Sequence, residues 1–203
     1  MKPYAGTCLP LLLGVTACSA GPPPRTYLLT PPLEAASLVM PAAPAGHIVI
    51  RRVLVPDYLD TTDILLRDGS SETKISATGR WGERLSQGLT HALAADLTAR
   101  LPTGTIELDP GTERRQLLID VTALDLWPDG RCAMAATWTL IDHDAPRAVA
   151  GGSGTFESTP VGGTTDVGDE RLVEAVTRAV DQLADAISKN IQLSTERSAQ
   201  NAD

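Results

Sequence analysis

The sequence predicts an α+β fold, a mostly antiparallel sheet with two long amphipathic helices packed on one side. Two apolar stripes and the strand block between them carry this prediction. In the first stripe Trp81, Leu85, Leu89, Leu93, Leu97 and Leu101 recur at every fourth position, with Ala92 alongside. Residues spaced this way share one helix face, so the run predicts a helix opening at Arg80-Trp81 and stopped by Pro102. The second stripe, Leu172, Val173, Val176, Val180, Leu183, Ile187 and Ile191, has the mixed spacing of an amphipathic helix. Between them, Leu117, Ile119, Val121 and Ala123 alternate with Leu118, Asp120, Thr122 and Leu124. After the turn Pro128-Asp129-Gly130, Cys132, Met134, Ala136, Trp138 and Leu140 fall on one face of a return strand. Ala148 to Ser158 reads as a third strand loosened by glycine, reached through Asp142-His143-Asp144. Three consecutive strands supply the surface that two one-faced helices need to cover.

Around this block lie weaker elements. Tyr27-Leu28-Leu29 is a short strand candidate, and Pro31-Pro32 with Pro41 to Gly46 bracket a loop. Ile48 to Val55 is rich in Ile and Val and reads as a buried strand stopped by Pro56. Ile64 to Arg67 and Thr73 to Ser76 flank Asp68-Gly69, a hairpin signal. Gly162-Gly163-Thr164-Thr165 loosens the approach to the second helix. One domain is expected over 27–193, followed by a polar, disordered tail over 194–203.

Composition removes several function classes. The 203 residues carry 17 basic and 25 acidic side chains, a net charge of −8 that argues against a nucleic-acid binder. With 3% aromatic residues there are few stacking platforms for single strands. Cys8, Cys18 and Cys132 form no C-x-x-C pair, zinc spacing or disulfide framework.

The N-terminus points to the cell envelope. Lys2 precedes the apolar run Cys8 to Val15, too short to span a bilayer but suited to a signal peptide. The run ends in Val15-Thr16-Ala17-Cys18, which resembles the bacterial lipobox, where small residues admit the peptidase and the cysteine receives lipid. Residues 1–17 then form the signal, Cys18 is the lipid attachment site, and 18–26 is a proline-rich tether. Removal of the signal leaves 186 residues and, with Lys2 gone, a charge of −9. Two or three acyl chains anchor stably, where one binds only marginally. Ser19 is not the aspartate that retains lipoproteins at the inner membrane in enteric-type sorting. The inner leaflet of the outer membrane, facing the periplasm, is the expected address.

No catalytic constellation emerges. Asp142-His143-Asp144 is polar, but neighbouring residues rarely converge on one metal ion, and His47 and His91 have no H-x-x-x-H or H-x-H partner. A hairpin tip accounts better for that cluster. Gly151-Gly152-Ser153-Gly154 lacks the Lys-Ser/Thr ending of a phosphate loop, so a strand bulge is expected there. Nor does Ser153 stand in a nucleophile elbow, because Thr155 replaces the glycine that G-x-S-x-G requires. Cys132 falls on an apolar strand face and reads as a core residue. Neither enzyme activity, nor a metal, nor a cofactor is expected.

Two motifs remain. Val53-Leu54-Val55-Pro56-Asp57-Tyr58-Leu59-Asp60 follows a buried strand, and its Pro56, Tyr58 and Leu59 suit either a structural corner or a partner-docking edge. Arg80-Trp81-Gly82-Glu83-Arg84-Leu85 heads the first helical stripe, with Trp81 read as core. With Cys18, Tyr27-Leu28-Leu29 and Ile64 to Arg67, these residues resemble the PqiC-like (YmbA-like) family of ABC-type transport auxiliary lipoproteins in order and spacing. Gly82 and Arg84 stand where that family usually has Ala and Pro.

The resemblance implies a non-catalytic lipoprotein subunit of an MCE/ABC-type intermembrane lipid transport system. Its partner would be an MCE-domain protein, a lipid conduit across the periplasm, and docking that conduit would support envelope integrity. A homo-oligomeric ring is compatible with the resemblance, and nucleic acid is not an expected partner. The alternative reading is a structural lipoprotein of another envelope assembly, such as a secretion or lipopolysaccharide-export complex.

Overall fold

A computed structural model describes residues 22–30, 48–102, 106–107, 115–143, 149–159 and 168–200. Among the described residues, eight strands and two helices appear in the order β1 (Arg25–Tyr27), β2 (Ile48–Ile50), β3 (Asp63–Asp68), β4 (Glu72–Trp81), α1 (Leu85–Arg100), β5 (Ile106–Glu107), β6 (Arg115–Leu126), β7 (Cys132–Asp142), β8 (Ala150–Ser158) and α2 (Asp169–Gln200). The fold is α+β with mostly antiparallel pairing as expected, but its strands form two sheets, each mixed by short parallel pairs. One sheet runs β1-β4-β3 and the other β5-β2-β6-β7-β8. The long β3–β4, β6–β7 and β7–β8 ladders are antiparallel, whereas β1–β4, β2–β5 and β2–β6 are parallel. Short early strands separated from their partners by α1 or by a long connection return in the parallel sense, which hairpins cannot supply.

The turn signals fall where the two hairpins reverse. Gly69 between β3 and β4 and Gly130 between β6 and β7 both have positive φ, 75° and 86°, which glycine tolerates without steric cost. α2 lies across β7 and β8 and packs against α1. One continuous core lies between the helices and the sheet. It contains the whole first stripe, the β7 face from Cys132 to Leu140, and Leu172, Val176, Val180, Leu183, Ile187 and Ile191 of α2.

Five details differ from expectation. Trp81 is the last residue of β4 rather than the head of α1, yet it is buried as predicted. The strand expected over Ile48 to Val55 is regular only over β2, because Arg51 and Arg52 turn to solvent before Leu54 rejoins β6 opposite Asp120. On β6, Thr122 is an unpaired bulge residue between Val121 and Ala123, so the apolar phase inverts and Leu124 and Leu126 become the buried side chains. No bulge interrupts β8, whose pairing with β7 runs unbroken from Ser158 to Ala150. Its glycines answer to aromatic rings instead. A Cβ on Gly152 would lie 2.6 Å from the Trp138 ring, and one on Gly154 would lie 3.0 Å from Phe156.

The fifth difference is the tail. Residues 194–200, expected to be disordered, continue α2. Ser194 is buried and its hydroxyl donates to the Ile191 carbonyl, while Thr195 does the same. With no proline or glycine to break the helix, these local bonds favour its continuation. Residues 201–203, Cys18 and the tether's first residues lie outside the described residues.

Candidate docking surface

The Pro56–Asp60 corner divides its residues between the core and the surface. A turn closes it, with Leu59 N–H donating to Pro56 O at 2.8 Å. Leu59 points inward and is 4% exposed, so among the three docking candidates it is a core residue. Pro56 is half-buried, and Tyr58 is 54% exposed. Beside Tyr58, Arg67 Nε donates to Asp125 Oδ1 at 2.6 Å. That bond, with a smaller contribution from Tyr58, raises the Arg67 guanidinium further above its ordinary value.

Asp60 joins the corner to α1. Arg84, which precedes the helix, supplies no side-chain cap. Asp60 Oδ1 instead accepts the Ser86 N–H at 3.2 Å and so satisfies one of the free donors of the first turn. Arg84 donates to the Asp60 carbonyl at 2.8 Å, and Arg52 binds the Ser86 hydroxyl through Nε and Nη2 at 2.9 and 2.7 Å. Burial opposes ionisation of Asp60. The hydrogen bonds from Ser86 and the charges of Arg52 and Arg84 outweigh it and hold the carboxyl below its ordinary range.

From this fixed corner an apolar surface extends over the sheet face opposite the helices. Val53 is buried and its N–H donates to Thr90 Oγ1 at 2.9 Å, so its neighbour Leu54 turns outward. Leu54 is 64% exposed and Leu118 39%. Both line an open groove of about 700 Å³, bordered by Arg51, Asp120, Thr137 and Thr139. Exposed leucines lining an open groove are the usual material of a contact surface. The sequence reading missed Leu54 and Leu118, and only the register could have found them. Leu54 pairs with Asp120, whose side chain shares a face with that of Leu118.

The groups considered for chemistry lie elsewhere. Cys132 is 1% exposed in the core, and burial, the largest influence, pushes its thiol up to about 12. It is therefore protonated at neutral pH and a poor nucleophile. Asp142 ends β7 within 3.5 Å of Arg115, His143 begins the turn, and Asp144 lies outside the described residues. His91 faces Glu83 at 3.2 Å, and Ser153 sits on the exposed strand β8.

The described residues form a small α+β domain with an exposed apolar groove and a buried, protonated thiol, and such a fold does not by itself specify a chemistry. The family model for the ABC-type transport auxiliary lipoprotein component matches residues 27–188, and the chain belongs to that family. It is therefore a PqiC-like lipoprotein of the cell envelope. Among characterised proteins it is 24% identical over 132 residues to the intermembrane transport lipoprotein PqiC of Escherichia coli, covering 64% of this chain and 70% of the relative. The same values hold for the PqiC of Shigella flexneri. Two crystal structures share the fold. One, of an uncharacterised protein, has a TM-score of 0.66 and 20% identity over 83% of this chain and 98% of its own. The other, a Xanthomonas campestris protein, has a TM-score of 0.61 and 14% identity over 76% and 88%.

Proposed function

We propose that this chain is an outer-membrane-anchored docking subunit of an MCE/ABC-type intermembrane lipid transport system, acting without catalysis. Membership of the transport auxiliary lipoprotein family is the observation that carries the reading. Cys18 would bear the acyl chains and hold the domain at the inner leaflet of the outer membrane, facing the periplasm. The MCE-domain conduit would meet the Leu54–Leu118 groove and the Tyr58 corner, with Pro56 and Leu59 fixing the shape of that corner. A ring of copies around the end of the conduit is compatible with this role. Docking would place the conduit at the membrane that receives or supplies lipid, and so support envelope integrity.

The geometry supports docking through rigidity. Val53, buried and bonded to Thr90, holds one end of the exposed segment, and Leu59 in the core with Asp60 on the first turn of α1 holds the other, so little conformational entropy remains to be lost when a partner binds. Two experiments test the role. Replacing Cys18 with alanine should release the protein from the membrane fraction; full retention would refute the anchor. Leu54→Asp with Tyr58→Asp should weaken capture of the system's MCE-domain protein by at least about tenfold. Unchanged capture would remove this surface from the interface.

A further inference from the structure

The hydrogen-bond register of the five-stranded sheet determines which backbone groups of β8 are free. Arg51 N–H donates to Leu117 O at 3.1 Å, Leu54 N–H to Ile119 O at 3.0 Å, and Val121 N–H to Leu54 O at 2.9 Å. Leu117, Ile119 and Val121 therefore turn their backbone groups towards β2, and Leu118 and Asp120 turn theirs towards β7. Carried across the ladder, Thr137 and Thr139 pair back to β6, while Ala136 and Trp138 pair with Gly154 and Gly152. Gly151, Ser153, Thr155 and Glu157 are left with N–H and C=O directed at the outer edge. α2 covers one end of that edge, where Gln182 Nε2 donates to Glu157 O at 3.2 Å. Among the described residues, the outward groups of Gly151, Ser153 and Thr155 have no partner.

Exposed edges are normally blunted by charged side chains, proline or a bulge. Ala150 to Thr155 has no charge and no proline, and its register is continuous. Beside it, Gly151 and Gly152 face Asn190, Ser194 and Arg197 of α2 across a cavity of about 480 Å³. Trp138, 6% exposed, and Asn190 both line this cavity, and Trp138 Nε1 and Asn190 Oδ1 are buried without a partner. The indole Cε2, bonded to that nitrogen, lies 3.0 Å from where a Gly152 Cβ would be. A buried donor and a buried acceptor thus flank bare backbone, and such orphan groups are rare in folded proteins. Arg197 adds a positive charge, and among the described residues no carboxylate lines the cavity.

We propose that the Gly151–Thr155 edge accepts an extended segment of a different polypeptide by strand addition. The incoming strand would carry an amide or hydroxyl side chain that accepts from Trp138 and donates to Asn190, and a carboxylate that meets Arg197. A second copy of β8 fits less well. On the helix face it would present only Ala150, Gly152, Gly154, Phe156 and Ser158, and the Ser158 hydroxyl already donates to Ala175 O at 2.9 Å. This edge adjoins the Leu54–Leu118 groove across Thr137, Trp138 and Thr139 but offers a different strand's backbone, and it stands whether or not that groove docks a conduit.

A random-peptide library panned against the full chain tests the proposal, with Ser153→Pro as counter-selection. Proline removes one outward N–H and leaves the β7 ladder in place. Selected peptides should be enriched in Asn, Gln, Ser or Thr together with Asp or Glu, and should lose about tenfold or more in affinity for Ser153→Pro. Asn190→Leu should also weaken them while melting no lower than the parent, because it removes an unpaired acceptor. Thr155→Pro serves if circular dichroism shows Ser153→Pro unfolded. A library yielding no peptide sensitive to edge proline overturns the proposal, as do peptides that bind Asn190→Leu as tightly as the parent. A dimer of the parent that Ser153→Pro abolishes would assign the edge to a second copy and overturn it equally.

Discussion

At Asp60 one carboxylate caps a helix that begins far along the chain and draws Arg52 and Arg84 around it. Asp60→Ala should cost about 1 kcal/mol in urea unfolding, the usual value of a lost helix cap, whereas Asp60→Asn keeps the accepting oxygen and removes only the charge. Because the folded carboxyl sits below its ordinary range, its contribution is present at neutral pH and lost as the pH falls through the folded value. The parent should therefore lose stability in acid more steeply than Asp60→Asn. At Cys132 the thiol pushed up to about 12 predicts no alkylation of the native protein at pH 8, and modification only after denaturation. Gly152→Val should destabilise by about 2 kcal/mol, because the new side chain displaces the Trp138 ring. The sequence showed that Gly152 was unusual but not why. The reason is a ring on the neighbouring strand, and only the register brings the two together.

Among the elements, those with long local periodicity were the most legible. The α1 stripe and the Cys132–Leu140 face lie in the core as read, because each pattern depends only on its own repeat. Boundaries set from a distance were not legible. α1 begins at Leu85 rather than Trp81, since its cap comes from Asp60 and Trp81 pairs with β1 opposite Tyr27. The Thr122 bulge likewise inverts β6 without any glycine to announce it. α2 offers a direct test of its face assignment. Ile187 is fully buried and Leu193 is 52% exposed. Ile187→Ala should cost about 3 kcal/mol in urea unfolding, and Leu193→Ala less than about 0.5 kcal/mol. Equal effects would mean that the helix does not pack as described.

For the whole molecule, the family-carrying residues separate into two roles. Leu59, Asp60 and Trp81 build the corner, the cap and the core, which explains much of the motif without any partner. Leu54 and Tyr58 face outward from the same segment, and with Leu118 they make up the surface proposed for docking. The proline–tyrosine–leucine corner was visible in the sequence. Its extension across the sheet was not, because Leu54 and Leu118 meet through a single bridge between Leu54 and Asp120. A photocrosslinking side chain at position 54 or 58 of the full chain, with one at Lys189 on the exposed face of α2 as control, tests the central claim in living cells. Adducts with the MCE-domain protein at 54 and 58 but not at 189 are the predicted result. No such adduct at 54 or 58, or equal capture from all three positions, would contradict docking through this face.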